Sequence, residues 1–204
     1  MVELIFATNN EYKVKEIKNI LRELYLADDC EIKSLNDIGL NNIEIKETFD
    51  TLEENAIKKA KEIYKVVHKS FPKAKVISED FGFFIEELPN ICGVKSNRWY
   101  KGTDEDRNNR VLKLMKDIEN RKCYYKSVYS VYDGEIERVF SGYTYGTVAL
   151  ESKGTNGFSY DSIFMLDNNK TIAELEPEEK DEISSRREAF EYLIKTIIKE
   201  ENKQ

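Results

Sequence analysis

Residues 2–24 read VELIFATNNEYKVKEIKNILREL. Val2 to Ala7 form an apolar strand candidate, and directly behind it Val14, Ile17, Leu21 and Leu24 recur at helical spacing. The chain therefore opens as a strand running into a helix. A second helix is announced by Thr51 with Glu54 three residues on, a capping-box pattern, and Ala56, Ala60, Ile63, Tyr64 and Val67 give it an inward stripe. VIS (76–78) is the next strand, followed at once by the adjacent carboxylates Glu79 and Asp80 and then by Gly82. Thr103 with Asp106 opens a third helix, with Val111, Leu114, Met115 and Ile118 inward. The segment 122–150 is rich in Tyr and Val and carries the hairpin signal Asp133-Gly134. A last helix begins near Ser184 and turns Ala189, Phe190, Leu193 and Ile197 inward. Strands alternate with helices at the start and pair as hairpins in the middle, so the expected class is α/β with a mixed sheet.

The 204 residues suit one domain with a good core, and no apolar run approaches the roughly 20 residues of a membrane span. The N-terminus lacks the basic region of a signal peptide, so a cytoplasmic location is expected. Cys30, Cys92 and Cys123 are scattered and odd in number, which predicts buried free thiols rather than a zinc site or a disulfide framework. A net charge of −7 argues against a nucleic-acid surface but leaves room for one small anion held by local Lys and Arg. His68 is the single histidine, so a histidine triad or multi-histidine metal site is hard to build. It reads as a residue near the C-terminal end of the second helix. Catalysis, if present, falls to carboxylates.

Four stretches carry candidate chemistry. In ATNNEYK (7–13) the strand-to-helix turn offers backbone N–H groups to a phosphate, and Lys13 sits where a cation needs an anionic neighbour. Thr8 or Asn10 simply capping the helix is the competing reading, and there is no P-loop. Glu79 and Asp80 lie where open α/β sheets bind ligands and where Mg²⁺ takes carboxylates plus phosphates, or else they are a turn residue and a solvated charge. Arg186 shares the inward face of the last helix, at the wrong end for a cation, and needs either a carboxylate or an anionic ligand. In NGFSYD (156–161), Phe158 and Tyr160 are suited to stacking on a base or to ordinary packing.

In this order the segments resemble the inosine triphosphate pyrophosphatase family over nearly the whole chain. The family's [ST]-x-N-x-x-K is matched by Thr8, Asn10 and Lys13, and its acidic residue ahead of N-A-x-x-K-A by Glu47 before Asn55, Ala56, Lys59 and Ala60. Its [DE]-D-[ST]-G matches Glu79-Asp80-Phe81-Gly82, and P-G-x-x-S-A-R-[YW] is echoed by CGVKSNRW (92–99). G-F-G-Y-D-P is echoed by GFSYDS (157–162), and E-K followed by S-H-R by Glu179-Lys180 and Ser184-Ser185-Arg186.

The resemblance implies a single nucleoside triphosphate pyrophosphatase domain over residues 1–204, with a strongly twisted mixed central sheet, flanking helices and two lobes around a nucleotide cleft. It implies hydrolysis of ITP, dITP and XTP to the monophosphate and pyrophosphate, which cleanses the nucleotide pool, with Mg²⁺ as cofactor and a homodimer as the assembly. Asp80 is then the catalytic base and, with Glu47, a metal ligand. Thr8, Asn9, Asn10, Glu11, Tyr12, Lys13 and Lys59 hold the triphosphate, and Glu79 adds negative potential. Phe81, Phe158, Ser159, Tyr160, Asp161, Lys180, Ser185 and Arg186 complete the substrate set, with Lys180 and Arg186 suited to a 6-keto oxygen. Three positions depart from the pattern: Ser185 stands for the base-contacting histidine, Phe81 for a small hydroxyl residue, and Ser159 and Ser162 for Gly and Pro. A serine hydroxyl donates but is shorter and uncharged. Two alternatives follow, a pyrophosphatase of broadened base preference and a nucleotide-binding or sensor protein with weak turnover.

Overall fold

The computed structural model describes residues 1–203. In chain order the elements are β1 (Val2–Phe6), α1 (Glu11–Glu23), β2 (Cys30–Ser34), α2 (Leu52–Val67), β3 (Lys75–Ile85), α3 (Asp104–Leu114), β4 (Lys122–Tyr132), β5 (Glu137–Val148), β6 (Phe164–Met165), α4 (Pro177–Glu182) and α5 (Ser185–Glu201). One six-stranded sheet runs β2-β1-β3-β4-β5-β6. β1 lies parallel to β2 and β3, whereas β5 and β6 are antiparallel, so the sheet is mixed and the expected α/β class is met. No helix among the described residues is long and apolar enough to cross a membrane.

Two compact units divide the chain, and the divisions at Asp80/Phe81, Lys126/Ser127 and Gly142/Tyr143 fall inside β3, β4 and β5. The first unit takes residues 1–80, 127–142 and the chain from Arg186 onward. Its core follows from strand alternation. Leu4, Phe6 and Ile77 point one way and pack with Ile17 and Leu21 of α1 and Phe190 and Leu193 of α5. Ile5 and Val76 point the other way, onto Ala60, Ile63 and Val67 of α2. The helical stripes read from the sequence are buried at Ala56, Ala60, Ile63 and Val67 on α2, where Tyr64 is only half-buried, and at Ala189, Phe190, Leu193 and Ile197 on α5. The second unit, residues 81–126 and 143–185, is built on Phe83, Ile85, Tyr125, Tyr160 and Phe164, against which Val111 and Met115 pack.

Two local expectations are revised, one is met and three elements were not foreseen. β3 does not end at Ser78; it continues through both carboxylates to Ile85, because Glu79 and Asp80 are buried by partners from other elements rather than expelled into a turn. α3 stops at Leu114, leaving Ile118 beyond the helix although still packed on the second core. β4 and β5 are joined by residues 133–136, where Asp133 Oδ1 accepts from the amides of Glu135 and Ile136 at 3.1 and 2.8 Å. β2, β6 and α4 were not foreseen. In β2 the buried Cys30, Ile32 and Ser34 alternate with Glu31 and Lys33, too few apolar positions to announce a strand.

Candidate active site

Adjacent carboxylates stand within β3 for a geometric reason that lies in the first unit. Successive side chains of a strand face opposite sides. Val76, Ser78 and Asp80 face α2, where the Ser78 hydroxyl donates to the Ala56 carbonyl. Ile77 and Glu79 face α1 and α5. The two charges therefore never share a surface.

On the α2 side, Lys59 gathers the acidic groups. Its Nζ lies 2.8 Å from Glu47 Oε1 and 3.1 Å from Asp80 Oδ1, and donates to the Glu79 carbonyl at 2.7 Å. Burial would lower the Lys59 pKa, but Asp80 and Glu47 outweigh it, so the ammonium is held charged. Burial pushes the Asp80 carboxyl well above the usual carboxylate range; Lys59 opposes the rise and Glu47 adds to it. Asp80 Oδ2 is buried without a hydrogen-bond partner.

On the opposite side, Glu79 Oε1 accepts from Arg186 Nε at 2.8 Å and Oε2 lies 2.7 Å from Lys13 Nζ. Arg186 also reaches Glu16 Oε2 at 2.5 Å. Burial alone would raise Glu79, yet Arg186 and Lys13 together bring it down to about 2. The order Glu16, Arg186, Glu79, Lys13 is thus a chain of alternating charge, buried at Arg186 and Glu79 and partly exposed at its two ends. The sequence reading offered Arg186 either a carboxylate or the purine; the structure places two carboxylates on it.

At the turn into α1, Asn10 is the cap, its Oδ1 accepting from the amides of Tyr12 and Lys13 at 3.0 and 3.4 Å. Thr8 Oγ1 accepts from the Asn10 amide at 3.1 Å, and Asn9 donates to the Ile43 carbonyl at 3.2 Å. Two of the amides that the sequence offered to an anion are therefore occupied by the cap. Glu11 and Tyr12 are exposed.

The second unit gathers the other expected residues around Asp161. Its Oδ2 lies 2.6 Å from Lys180 Nζ and accepts from the Phe158 amide at 2.9 Å, while Oδ1 accepts from the Tyr125 hydroxyl at 3.1 Å. Lys180 Nζ also stands 4.5 Å from the centre of the Phe158 ring, which is 62 % exposed. Gly157 has φ +87°, and a Cβ there would lie 2.2 Å from Asp161 Oδ2, so the loop needs glycine at this point. Ser159 takes a left-handed φ of +58°, fixed by its amide donating to Asp104 and its carbonyl accepting from Asn108 at 2.9 Å. Tyr160 is fully buried, donating its hydroxyl to the Ser96 carbonyl and accepting from Trp99 Nε1 at 2.7 Å. Phe81 packs on Tyr125, and Ser185, the first residue of α5, is buried.

The sequence pattern of the Ham1 family matches residues 4–196. The chain belongs to the Ham1 family. Among its relatives, the dITP/XTP pyrophosphatase of Thermoanaerobacter sp. (strain X514) is 38% identical over 203 residues, covering 97% of this chain and 98% of that protein. The dITP/XTP pyrophosphatase of Bacillus subtilis (strain 168) is 39% identical with the same coverage. Among solved structures, the HAM1 protein from Coxiella burnetii superposes with a TM-score of 0.86 at 29% identity, covering 98% of this chain and 100% of that one. The family expected from the ordered motifs is the family found.

The donor set of this Ham1 chain fits a magnesium ion. Mg²⁺ is usually held by one or two carboxylates with substrate phosphates and water. Glu47 and Asp80 supply such a pair beside Lys59, Asp80 Oδ2 lacks a partner, and no cluster of three or more acidic, His or Cys ligands occurs among the described residues. Reasoning from sequence missed Glu16, Tyr125, Asp104 and Asn108. Tyr125 is one of several tyrosines in a strand, and nothing local distinguishes the one that reaches Asp161. Asp104 and Asn108 read only as first-turn and surface residues of α3.

Proposed function

We propose that this chain is a Mg²⁺-dependent nucleoside triphosphate pyrophosphatase that converts ITP, dITP and XTP to the monophosphate and pyrophosphate, in the cytoplasm. The observation that carries the reading is Asp80: a buried carboxyl with raised proton affinity and an unpartnered oxygen, faced by Glu47 and Lys59. The names of the relatives support the substrate class.

In this reading Asp80 orients a water and accepts its proton as the water oxygen bonds to the α-phosphorus. The bond from that phosphorus to the bridging oxygen breaks, and the electron pair leaves with pyrophosphate. When bound, Mg²⁺ offsets phosphate charge and fixes the phosphates in register. Lys59 and Lys13 balance the charge that develops on the leaving oxygens, and residues 8–12 shape the approach to them. Phe158 stacks on the purine. Lys180, fixed by Asp161 and the Phe158 ring, donates to the 6-keto oxygen, with Ser185 as a second donor. Adenine presents an amino group there and leaves those donors unpaired, which disfavours ATP. Arg186 enters this reading through Glu79, which it holds along with Lys13.

Product analysis tests this directly. ITP, XTP, GTP and ATP are offered with Mg²⁺, and pyrophosphate is assayed apart from orthophosphate. Pyrophosphate and monophosphate from ITP and XTP, with little from GTP or ATP, are expected. Pyrophosphate from all four would retain the mechanism and remove the selectivity, and no turnover by folded protein would favour a binding role.

A homodimer is proposed through the aromatic face of the second unit. Phe84 stacks on Tyr124, and Tyr143 stacks on Tyr145, which is 69 % exposed. Exposed aromatic clusters of this kind favour association. Sedimentation should show a dimer that Tyr145→Glu dissociates.

A further inference from the structure

Glu47 lies in a segment with no regular secondary structure, yet α2 grips that segment on both sides of it. Asn55 is fully buried and satisfies both backbone groups of one residue, accepting from the Phe49 amide at 3.0 Å and donating to the Phe49 carbonyl at 3.2 Å. Lys58 Nζ donates to the Lys46 carbonyl at 2.8 Å and to Thr48 Oγ1 at 3.1 Å, and stands 5.9 Å from the centre of the Phe49 ring. Lys59 then meets the Glu47 carboxylate itself at 2.8 Å. Lys46 and Thr48 on either side of Glu47 are thus pinned by Lys58, Phe49 just beyond them by Asn55, and the Glu47 carboxylate by Lys59.

A loop residue reaches a fixed position only if its backbone polar groups have partners as definite as those of a strand or helix. Around Glu47 these partners come from Asn55 and Lys58, one helical turn apart on α2. The same helix carries Lys59, which also contacts Asp80. One rigid element therefore sets both the segment that carries Glu47 and the cation between the two carboxylates.

We propose that Asn55 and Lys58 are positioning residues that hold the Glu47 carboxylate at the distance from Asp80 which divalent-cation binding requires. This rests on the reading of Glu47 and Asp80 as the metal carboxylates. Partners that orient metal ligands without touching the metal commonly change metal affinity by about 10- to 100-fold when removed.

The test compares Asn55→Asp, Lys58→Met and Glu47→Gln with the unaltered protein. Asn55→Asp keeps the shape but turns the donor that faces the Phe49 carbonyl into an acceptor. Four quantities are read: the Mg²⁺ concentration that half-saturates ITP hydrolysis, KM for ITP at saturating Mg²⁺, Mn²⁺ affinity by electron paramagnetic resonance with a non-hydrolysable ITP analogue, and amide exchange across residues 46–50. About a tenfold rise in half-saturating Mg²⁺ is expected for Asn55→Asp, with a smaller rise for Lys58→Met. Mn²⁺ affinity should weaken in parallel, KM for ITP at saturating Mg²⁺ should hold within about twofold, and exchange should quicken at 46–50 but not in β1. Faster exchange with unaltered Mg²⁺ and Mn²⁺ dependence would overturn the proposal, and unaltered exchange would overturn the grip itself. Should Asn55→Asp fail to fold, Lys58→Met at the partly exposed end of the grip decides the matter by the same readouts. Wild-type Mn²⁺ affinity in Glu47→Gln would instead refute the metal reading on which the proposal rests.

Discussion

Replacing Glu79 by Gln keeps the side-chain volume and one acceptor for Arg186 but removes the charge at the middle of the Glu16, Arg186, Glu79, Lys13 chain. Arg186 retains Glu16 at 2.5 Å, while the ion pair of Lys13 with Glu79 is lost. The magnitude follows from linkage. In the unfolded chain this carboxyl has its ordinary value of 4.5, and in the folded protein Arg186 and Lys13 overcome burial and hold it at about 2. At about 1.4 kcal/mol for each pH unit of that difference, the ionised form contributes about 3 kcal/mol to stability at neutral pH. This matches the lower end of the roughly 3–5 kcal/mol lost when one partner leaves a buried ion pair, as expected where Arg186 keeps a second carboxylate. The sign is fixed by which state binds the proton. Between about pH 4.5 and about pH 2 the unfolded chain is protonated at Glu79 and the folded chain is not, so acid favours unfolding. The contribution is complete above pH 4.5 and vanishes as pH falls through 2. Urea midpoints of both proteins from pH 7 to pH 2.5, followed by circular dichroism, read it. A gap of about 3 kcal/mol at pH 7 that closes steadily below pH 4.5 is expected. Equal stability at pH 7, or a gap of the same size at pH 3, would refute the reasoning.

The second unit yields three further expectations. Gly157→Ala places a methyl 2.2 Å from Asp161 Oδ2 at a φ that side chains avoid, so KM for ITP should rise and thermal unfolding should fall by several degrees. Tyr125→Phe deletes the hydroxyl donor to Asp161 Oδ1 without changing the packing on Phe81, Phe83 and Phe164; a loss of about 1–2 kcal/mol in urea unfolding is expected. Lys180→Met retains the hydrophobic stem but removes the donor, and should lower kcat/KM for ITP by about tenfold or more while leaving ATP hydrolysis nearly unchanged. Equal losses with both nucleotides would assign Lys180 a role other than reading the 6-keto oxygen.

What the sequence revealed and what it concealed divide along the range of the interactions involved. The stripes on α2 and α5 are local, set by a 3.6-residue period, and all the residues they named but the half-buried Tyr64 are buried. The ordered motifs named the groups around Asp80 and Asp161, but the spacing of a motif does not say whom each residue will meet. Lys13 and Arg186 are separated by most of the chain, and they converge on Glu79 only because β3 lies with one face toward both α1 and α5. The same distance effect hid the length of β3. Carboxylates are poor strand residues by propensity, and their tolerance here depends on cations brought from α1, α2 and α5. Alternation then gives the neighbours opposite fates. Glu79 meets two full cations and stays ionised far into acid, serving to hold Lys13 and Arg186 in place. Asp80 shares one lysine with Glu47 under strong desolvation and is driven toward protonation. Titrating groups pushed apart by their surroundings mark a division of labour between structure and proton transfer. In the mechanism proposed above that division falls between consecutive residues, Glu79 in structure and Asp80 in proton transfer, because strand alternation turns them to opposite sides of β3.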